Sequence, residues 1–227
     1  NTTIKGNVTV LTSTNPDTAR LDFYVDNNTG LGWALRRSDT NRADGWDFAW
    51  DTGLDCATTA ECTGVRLRVN STDSANLTSN FTVSGLEIDN TAPTVTLLYP
   101  PSSATIRGII IASATSSSDT TQVVFEYSPD SGTTWYTIGT DPSSAGGWNI
   151  TWDTRQVADA STYLVRANAT DNAGLSAAGQ NSAAFTIDNV EAATTIISPK
   201  TGGIVSGNFT VTAIAPDTTF YVLFTVF

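Results

Sequence analysis

Histidine and methionine are absent from these 227 residues, and cysteine occurs only twice. Without histidine there is no Ser-His-Asp or Cys-His nucleophile, no His-ligated zinc and no haem histidine. Two cysteines alone cannot complete a zinc shell. Basic residues are few as well, 11 against 22 acidic ones, which gives a formal charge of -11 and an isoelectric point near 4.1. Nucleic acid needs a basic stripe along its phosphates and is excluded as a partner. Charged residues make up only 15% of the chain, whereas Thr and Ser number 39 and 21, so the surface is hydroxyl-rich rather than highly acidic. No apolar run reaches the ~18–20 residues of a membrane span, and Asn1 does not open a signal peptide; any export signal is expected to have been removed.

Self-similarity is the strongest feature present. The six tryptophans form three pairs at one spacing of 102 residues: Trp33 with Trp135, Trp46 with Trp148, Trp50 with Trp152. The same offset relates Gly6 to Gly108, Phe23 to Phe125 and Gly30 to Gly132. After the third Trp it falls to 98, relating Asn70 to Asn168 and Asp73 to Asp171, and Cys56-Ala-Thr-Thr-Ala-Glu-Cys62 accounts for the four extra residues. By Ile88-Asp-Asn90 and Ile187-Asp-Asn189 it is 99. A third copy starts at Thr194-Thr-Ile-Ile-Ser-Pro199 and Val205-Ser-Gly-Asn-Phe-Thr-Val211 and does not finish before Phe227. Copy one lacks the opening strand that copy two shows as Thr94-Val-Thr-Leu-Leu-Tyr-Pro100. The spacing predicts one complete repeat, 91–190, between two incomplete ones, 1–90 and 191–227.

Within each repeat the apolar period is two. Leu21, Phe23 and Val25 alternate with Asp22 and Tyr24, and Val65, Leu67 and Val69 with Arg66 and Arg68. Trp46-x-Phe48-x-Trp50 and Trp148-x-Ile150-x-Trp152 each place three bulky side chains on one face. Turn residues recur every ~8–12 positions, so the expected fold is all-β, an antiparallel sandwich of ~100 residues per unit. A buried Trp removes ~150–250 Å² from water, roughly 4–6 kcal/mol gross, enough for three to anchor a small core. Trp33 and Trp135 serve equally well as half-exposed hairpin flanks.

Four segments carry a family likeness: Asp89-Asn-Thr-Ala-Pro-Thr-Val-Thr-Leu97, Trp152-Asp-Thr154, Tyr163-Leu-Val-Arg-Ala-Asn-Ala-Thr-Asp-Asn-Ala-Gly174 and Phe185-Thr-Ile-Asp-Asn189. Together they resemble the tandem immunoglobulin-like repeats of archaeal, and some bacterial, cell-surface and surface-layer proteins. The resemblance implies tandem immunoglobulin-like sandwiches with a structural, extracellular role as spacers, surface-layer units or adhesin stalks, and no enzymatic activity.

Nine asparagines begin Asn-X-Ser/Thr: Asn1, Asn7, Asn27, Asn70, Asn76, Asn80, Asn149, Asn168 and Asn208, where chance gives about four. Strand parity puts Asn149, Asn70, Asn168, Asn80 and Asn208 opposite apolar neighbours, on faces that reach solvent, so these are candidate N-glycosylation sites. Cys56 and Cys62 read as a disulfide in an oxidising exterior, worth ~2–2.5 kcal/mol and pinning a loop rather than the core. Ser128-Pro-Asp-Ser-Gly-Thr-Thr-Trp135 looks like the Asp-box hairpin of sialidase propellers, but with no propeller around it the motif reads as a turn. The carboxylate pairs Asp44/Asp47 and Asp51/Asp55 have no cleft to make them a glycosidase couple. Asp171-Asn-Ala-Gly174 and Asp73-Ser-Ala-Asn76 read as Asx turns. Their carboxylates, with Asp89/Asn90 or Asp188/Asn189 of the repeat junctions, can alternatively supply oxygens to calcium, which makes Asp171 and Asp188 the metal candidates in a chain otherwise expected to need no cofactor.

Phe220-Tyr-Val-Leu-Phe-Thr-Val-Phe227 is apolar on both parities, which a lone three-strand fragment cannot bury. Phe220, Val222, Phe224, Val226 and Phe227 are therefore expected at an inter-subunit contact in which copies of the chain complete one another's sheets head to tail. The expected function is a structural subunit of an extracellular, glycosylated filament or surface layer. The alternative is a stalk fragment of a longer cell-surface adhesin. A sugar-binding accessory module that presents its aromatics fits less well, because the tryptophans follow core parity.

Overall fold

The computed structural model describes residues 2–56, 61–181, 183–191, 193–215 and 223, with Asp44 described by its backbone alone. The chain is all-β. The first repeat contributes β1 (Thr2–Ile4), β2 (Asn7–Val10), β3 (Thr18–Asp26), β4 (Ala34–Asp39), β5 (Phe48–Asp51), β6 (Cys62–Asp73) and β7 (Thr78–Ile88). The second contributes β8 (Val95–Tyr99), β9 (Thr105–Ile106), β10 (Ile109–Ser116), β11 (Thr120–Ser128), β12 (Tyr136–Asp141), β13 (Trp148–Asp153), β14 (Ala160–Asp171), β15 (Ser176–Gln180) and β16 (Phe185–Ile187). β17 (Thr195–Ser198) and β18 (Thr212–Ile214) follow. Helical structure among the described residues is confined to short 3-10 turns, and none is long and apolar enough to cross a membrane.

The two repeats have one plan. A large sheet runs β1-β7-β6-β3-β4 in the first and β9-β16-β14-β11-β12 in the second, antiparallel except for the parallel β1·β7 and β9·β16 pairs. β15 continues the second sheet by pairing with β14, where the first has the single long strand β7. A smaller sheet lies across the core from each large one: β2·β5 in the first repeat, β13-β10-β8 in the second.

The period-two pattern explains the packing. Leu21, Phe23 and Val25 of β3 and Val65 and Leu67 of β6 point inward and meet Phe48 and Trp50 of β5, with the Phe23 and Phe48 rings 5.1 Å apart. In the second repeat Val123 and Phe125 pack with Trp148, while Trp152 packs with Tyr163 and Phe185. Trp33 and Trp135 are in neither core and remain half-buried.

Two further patterns become intelligible in three dimensions. In Trp50-Asp-Thr52 and Trp152-Asp-Thr154 the Trp fills the core and the Asp caps a 3-10 turn, accepting from Gly53 N (3.0 Å) or Arg155 N (3.1 Å). The buried Thr hydroxyl donates to Gly6 O or Gly108 O at 2.8 Å, and its backbone N–H donates to the same carbonyl. Those glycines have φ of +59° and +70°, conformations that side chains disfavour, and their N–H groups donate to Asn90 Oδ1 and Asn189 Oδ1 at 2.7 Å. Each repeat is thus locked where its first corner, middle turn and closing residue meet.

The second pattern is charge buried on the outer face. Asp22 and Asp26 of β3 are buried on the outer face of the large sheet. Ser38 Oγ and Arg20 hold Asp22 at 2.5 and 2.7 Å, while Asn28 N and Arg66 hold Asp26. The Asn28 N–H, then Arg66, keeps the Asp26 carboxyl below its ordinary value. The disulfide also does more than close a loop. Cys56–Cys62 is formed, Cys56 lies inside the first core, and Cys62 sits opposite Ile88 in the β6·β7 ladder.

Trp50→Ala should lower the unfolding free energy by ~3–5 kcal/mol, the usual cost of emptying a large aromatic site. Thr154→Val, which keeps the volume but strips Gly108 O of its hydroxyl donor, should cost ~1–3 kcal/mol. Equilibrium urea denaturation checks both, and an unchanged midpoint for Thr154→Val would contradict the corner lock.

Candidate functional site

The repeats differ where the small sheet covers the large one. In the second repeat β10 is paired on both edges: Ile109–Ala114 with β13, and Ser113–Ser116 with β8 in the order Ser113↔Tyr99, Ala114↔Leu97, Thr115↔Thr96, Ser116↔Val95. In the first repeat β2 pairs only with β5, as Val8↔Trp50 and Val10↔Phe48, and ends at Val10. Residues 11–14, which match residues 113–116 at the repeat offset, join no ladder. With no strand in the place that β8 takes, a groove of about 640 Å³ opens along them.

Its floor is Leu21, Leu67 and Val69, whose counterparts Val123, Val165 and Ala167 are wholly buried. Its walls include Leu11, Phe81 and Val83, with Leu11 75% and Phe81 72% exposed. Parity places Phe81 opposite Val69, on the inward face, yet nothing among the described residues covers it. The counterpart of Phe81 is Gly179, where a Cβ would stand 2.5 Å from Val95 O of β8. Glycine there lets β8 lie directly on β15. The open groove instead presents a phenyl ring.

The third repeat begins with the same pair of strands. β17 and β18 pair as Thr195↔Ile214, Ile196↔Ala213 and Ser198↔Thr212, which is the β8·β10 register moved by 99 residues, with its irregularity in the same place. β17 is exposed along its whole length, including Ile196 and Ile197. Phe220, Val222, Phe224, Val226 and Phe227 lie outside the described residues.

The outer face holds the remaining aromatics. Arg68 lies over the Trp33 ring at 4.3 Å, with Arg66 at 5.1 Å, and Arg166 lies over Trp135 at 4.1 Å. Guanidinium groups occupy ring faces that a sugar would need. The Asp-box hairpin is a self-contained turn: Asp130 Oδ1 accepts from Ser128 Oγ and Thr134 N at 2.7 Å each, and Trp135 Nε1 donates to Gly132 O at 3.1 Å. Of the paired carboxylates, Asp51 caps its turn and buried Asp55 accepts from Trp50 Nε1 (2.6 Å) and Arg36. Both are structural.

Among the sequons, Asn7, Asn76, Asn80, Asn149 and Asn208 are exposed, and Asn1 is outside the described residues. Asn27, Asn70 and Asn168 are half-buried. The amides of Asn27 and Asn168 already donate to Asp55 O and the Glu126 carboxylate. That of Asn149 donates to Gly147 O at 2.8 Å. Asp171 caps the β14–β15 turn by accepting from Leu175 N (2.8 Å), and Asp188 accepts from Val190 N (3.1 Å). Of the expected junction pairings, Asp171 lies near Asp89, with Glu61 alongside.

No protein-family model matches this sequence, and no curated protein is detectably similar to it.

Two turn carboxylates set an acid limit. Asp130 is held down to about 2 from 3.8, chiefly by the Thr134 N–H, and Asp153 to about 2, chiefly by the Arg155 guanidinium. A depressed carboxyl stabilises fully above its unfolded value, and that contribution is lost as the pH falls through the folded one. Thermal unfolding should therefore show stability declining between pH 3.8 and about 2 from these groups, and Asp130→Asn should flatten part of that decline.

Proposed function

We propose that this chain is a structural subunit of an extracellular, glycosylated filament or surface layer, built of immunoglobulin-like sandwiches and joined by β-strand complementation between copies. One observation carries the reading: the uncovered groove of the first repeat has, one repeat later, a template for the strand that fills it. β8 covers that place with alternating apolar residues and ladder bonds to β10, and β17 carries the same register on β18. A two-stranded ribbon is marginal alone in water, so the exposed β17 segment of one copy is a ready donor for the groove of the next. Donated main-chain bonds supply affinity, and alternate side chains entering the groove supply specificity. Phe81 sets the depth of seating. It makes the incoming strand rest on a ring rather than on backbone, so the joint is a wider copy of the β8·β15 contact.

The role is mechanical and not catalytic. A chain without histidine, whose buried aspartates are tied to arginine, serine and backbone donors, offers sheets and not a reaction centre. Exposed sequons, the disulfide and a hydroxyl-rich surface support a location outside the cell. The second reading, a stalk segment of a longer adhesin, draws on the identical start of the third repeat; in that case residues of the same polypeptide fill each groove in turn.

Electron microscopy and light scattering of the purified chain test the proposal. Head-to-tail rods or a lattice are expected, shortened by an excess of a peptide with the sequence of residues 94–100. Phe81→Asp should disperse them while leaving the circular dichroism spectrum unchanged, since that side chain touches water already. Strictly monomeric protein that ignores the peptide would sink the assembly reading and favour the stalk.

A further inference from the structure

The geometry points to a calcium site between the first and second repeats, formed by Glu61, Asp89 and Asp119 with Asp171 beside them. Glu61 directly precedes β6, Asp89 directly follows β7, Asp119 is in the turn between β10 and β11, and Asp171 ends β14. Carboxylate oxygens of Glu61, Asp89 and Asp119 lie within 4.8 Å of one another. Two residues of one repeat and two of the next therefore converge, although up to 110 positions separate them in the sequence.

The decisive feature is what the buried members leave bare. Asp89 is 2% exposed; its Oδ1 accepts from Thr91 N at 3.1 Å, and its Oδ2 is buried with no hydrogen-bond donor. Asp171 is 3% exposed; its Oδ1 accepts from Leu175 N, and its Oδ2 is likewise buried and without a donor. Buried polar atoms in native proteins are almost always satisfied. Here two carboxylates each spend one oxygen on a local turn and keep the other free beside further carboxylates.

The donors are all oxygen, which selects a hard cation over zinc. Calcium takes six to eight oxygens in flexible geometry, whereas magnesium demands a tight octahedron and keeps its water. Three converging carboxylates from three separate segments, with Asp171 paired opposite Thr120 beside Asp119, suit the larger ion. At the next junction Asp159 accepts from Asn189 N and Val190 N, and Asp188 Oδ1 accepts from Val190 N. Bound calcium would tie the closing end of one sandwich to the turns of the next and stiffen the joint. This inference does not depend on assembly between copies.

Isothermal titration calorimetry of calcium into the chelator-treated full chain tests it, run on the Phe81→Asp variant as well so that polymerisation cannot interfere. One saturable site is expected, with a dissociation constant on the order of 0.1–1 mM, as in extracellular calcium modules. The Asp89→Asn/Asp119→Asn double variant should bind roughly 10–100-fold more weakly. Asp89→Asn alone should melt higher than wild type in chelator, where it relieves repulsion, and lower than wild type in saturating calcium; a purely structural aspartate gives no such reversal. Glu61→Gln, at an exposed position, should weaken binding while keeping the fold even if the double variant does not. Absence of saturable heat with an unchanged melting temperature, undiminished binding by the variants, or magnesium binding as tightly as calcium would each overturn the assignment.

Discussion

A β-sheet with alternating side chains keeps only one face dry, and that face needs a cover of matching width. Most of what distinguishes the two repeats follows from this constraint. Their large sheets have the same strand order and equivalent inward residues, from Leu21 and Val123 on β3 and β11 to Ile88 and Ile187 on β7 and β16. Their covers differ by one strand. With three strands the second repeat buries Val165 and Ala167 completely; with two, the first leaves Val69 partly open and Phe81 in solvent. The contrast is internal to one molecule, so sequence background and surroundings are as nearly matched as they can be.

The polar framework is as regular as the apolar one. Gly6, Thr52 and Asn90, and again Gly108, Thr154 and Asn189, bond to one another around a buried threonine where three separate segments meet. A buried threonine hydroxyl without a partner would cost more than its bond contributes. This explains why the bulky Trp50 is followed two positions later by the small polar Thr52. The outer face follows the same rule with charges, since aspartates on β3 are tolerated in burial because Arg20 of the same strand and Arg66 of β6 close over them.

Rigidity along the chain is then a matter of junctions. Within a repeat, ladders and corner locks bear the load. Between repeats, Glu61 and Asp89 of one sandwich meet Asp119 of the next, so like charges face one another at the joint.

The amino-acid sequence alone determined the all-β class, the two equivalent repeats and their shared core, because a period of two and tryptophans 102 residues apart are one-dimensional facts. The cysteine pairing and the turn character of Ser128–Trp135 were legible for the same reason: each involves residues a few positions apart. Burial of Asp22 and Asp26, the arginine caps on Trp33 and Trp135, the threonine corner and the seating of Cys56 in the core were not legible, since each depends on which strand lies beside which. Parity rightly turned Phe81 inward but could not reveal that no strand among the described residues lies over it, because coverage is a property of the facing sheet and not of the strand itself. Junction carboxylates such as Asp89 and Asp171 were legible as a calcium option, but the arrival of Glu61 and Asp119 beside Asp89 belongs to tertiary structure, because only the packing of one sandwich against the next brings such distant charges together.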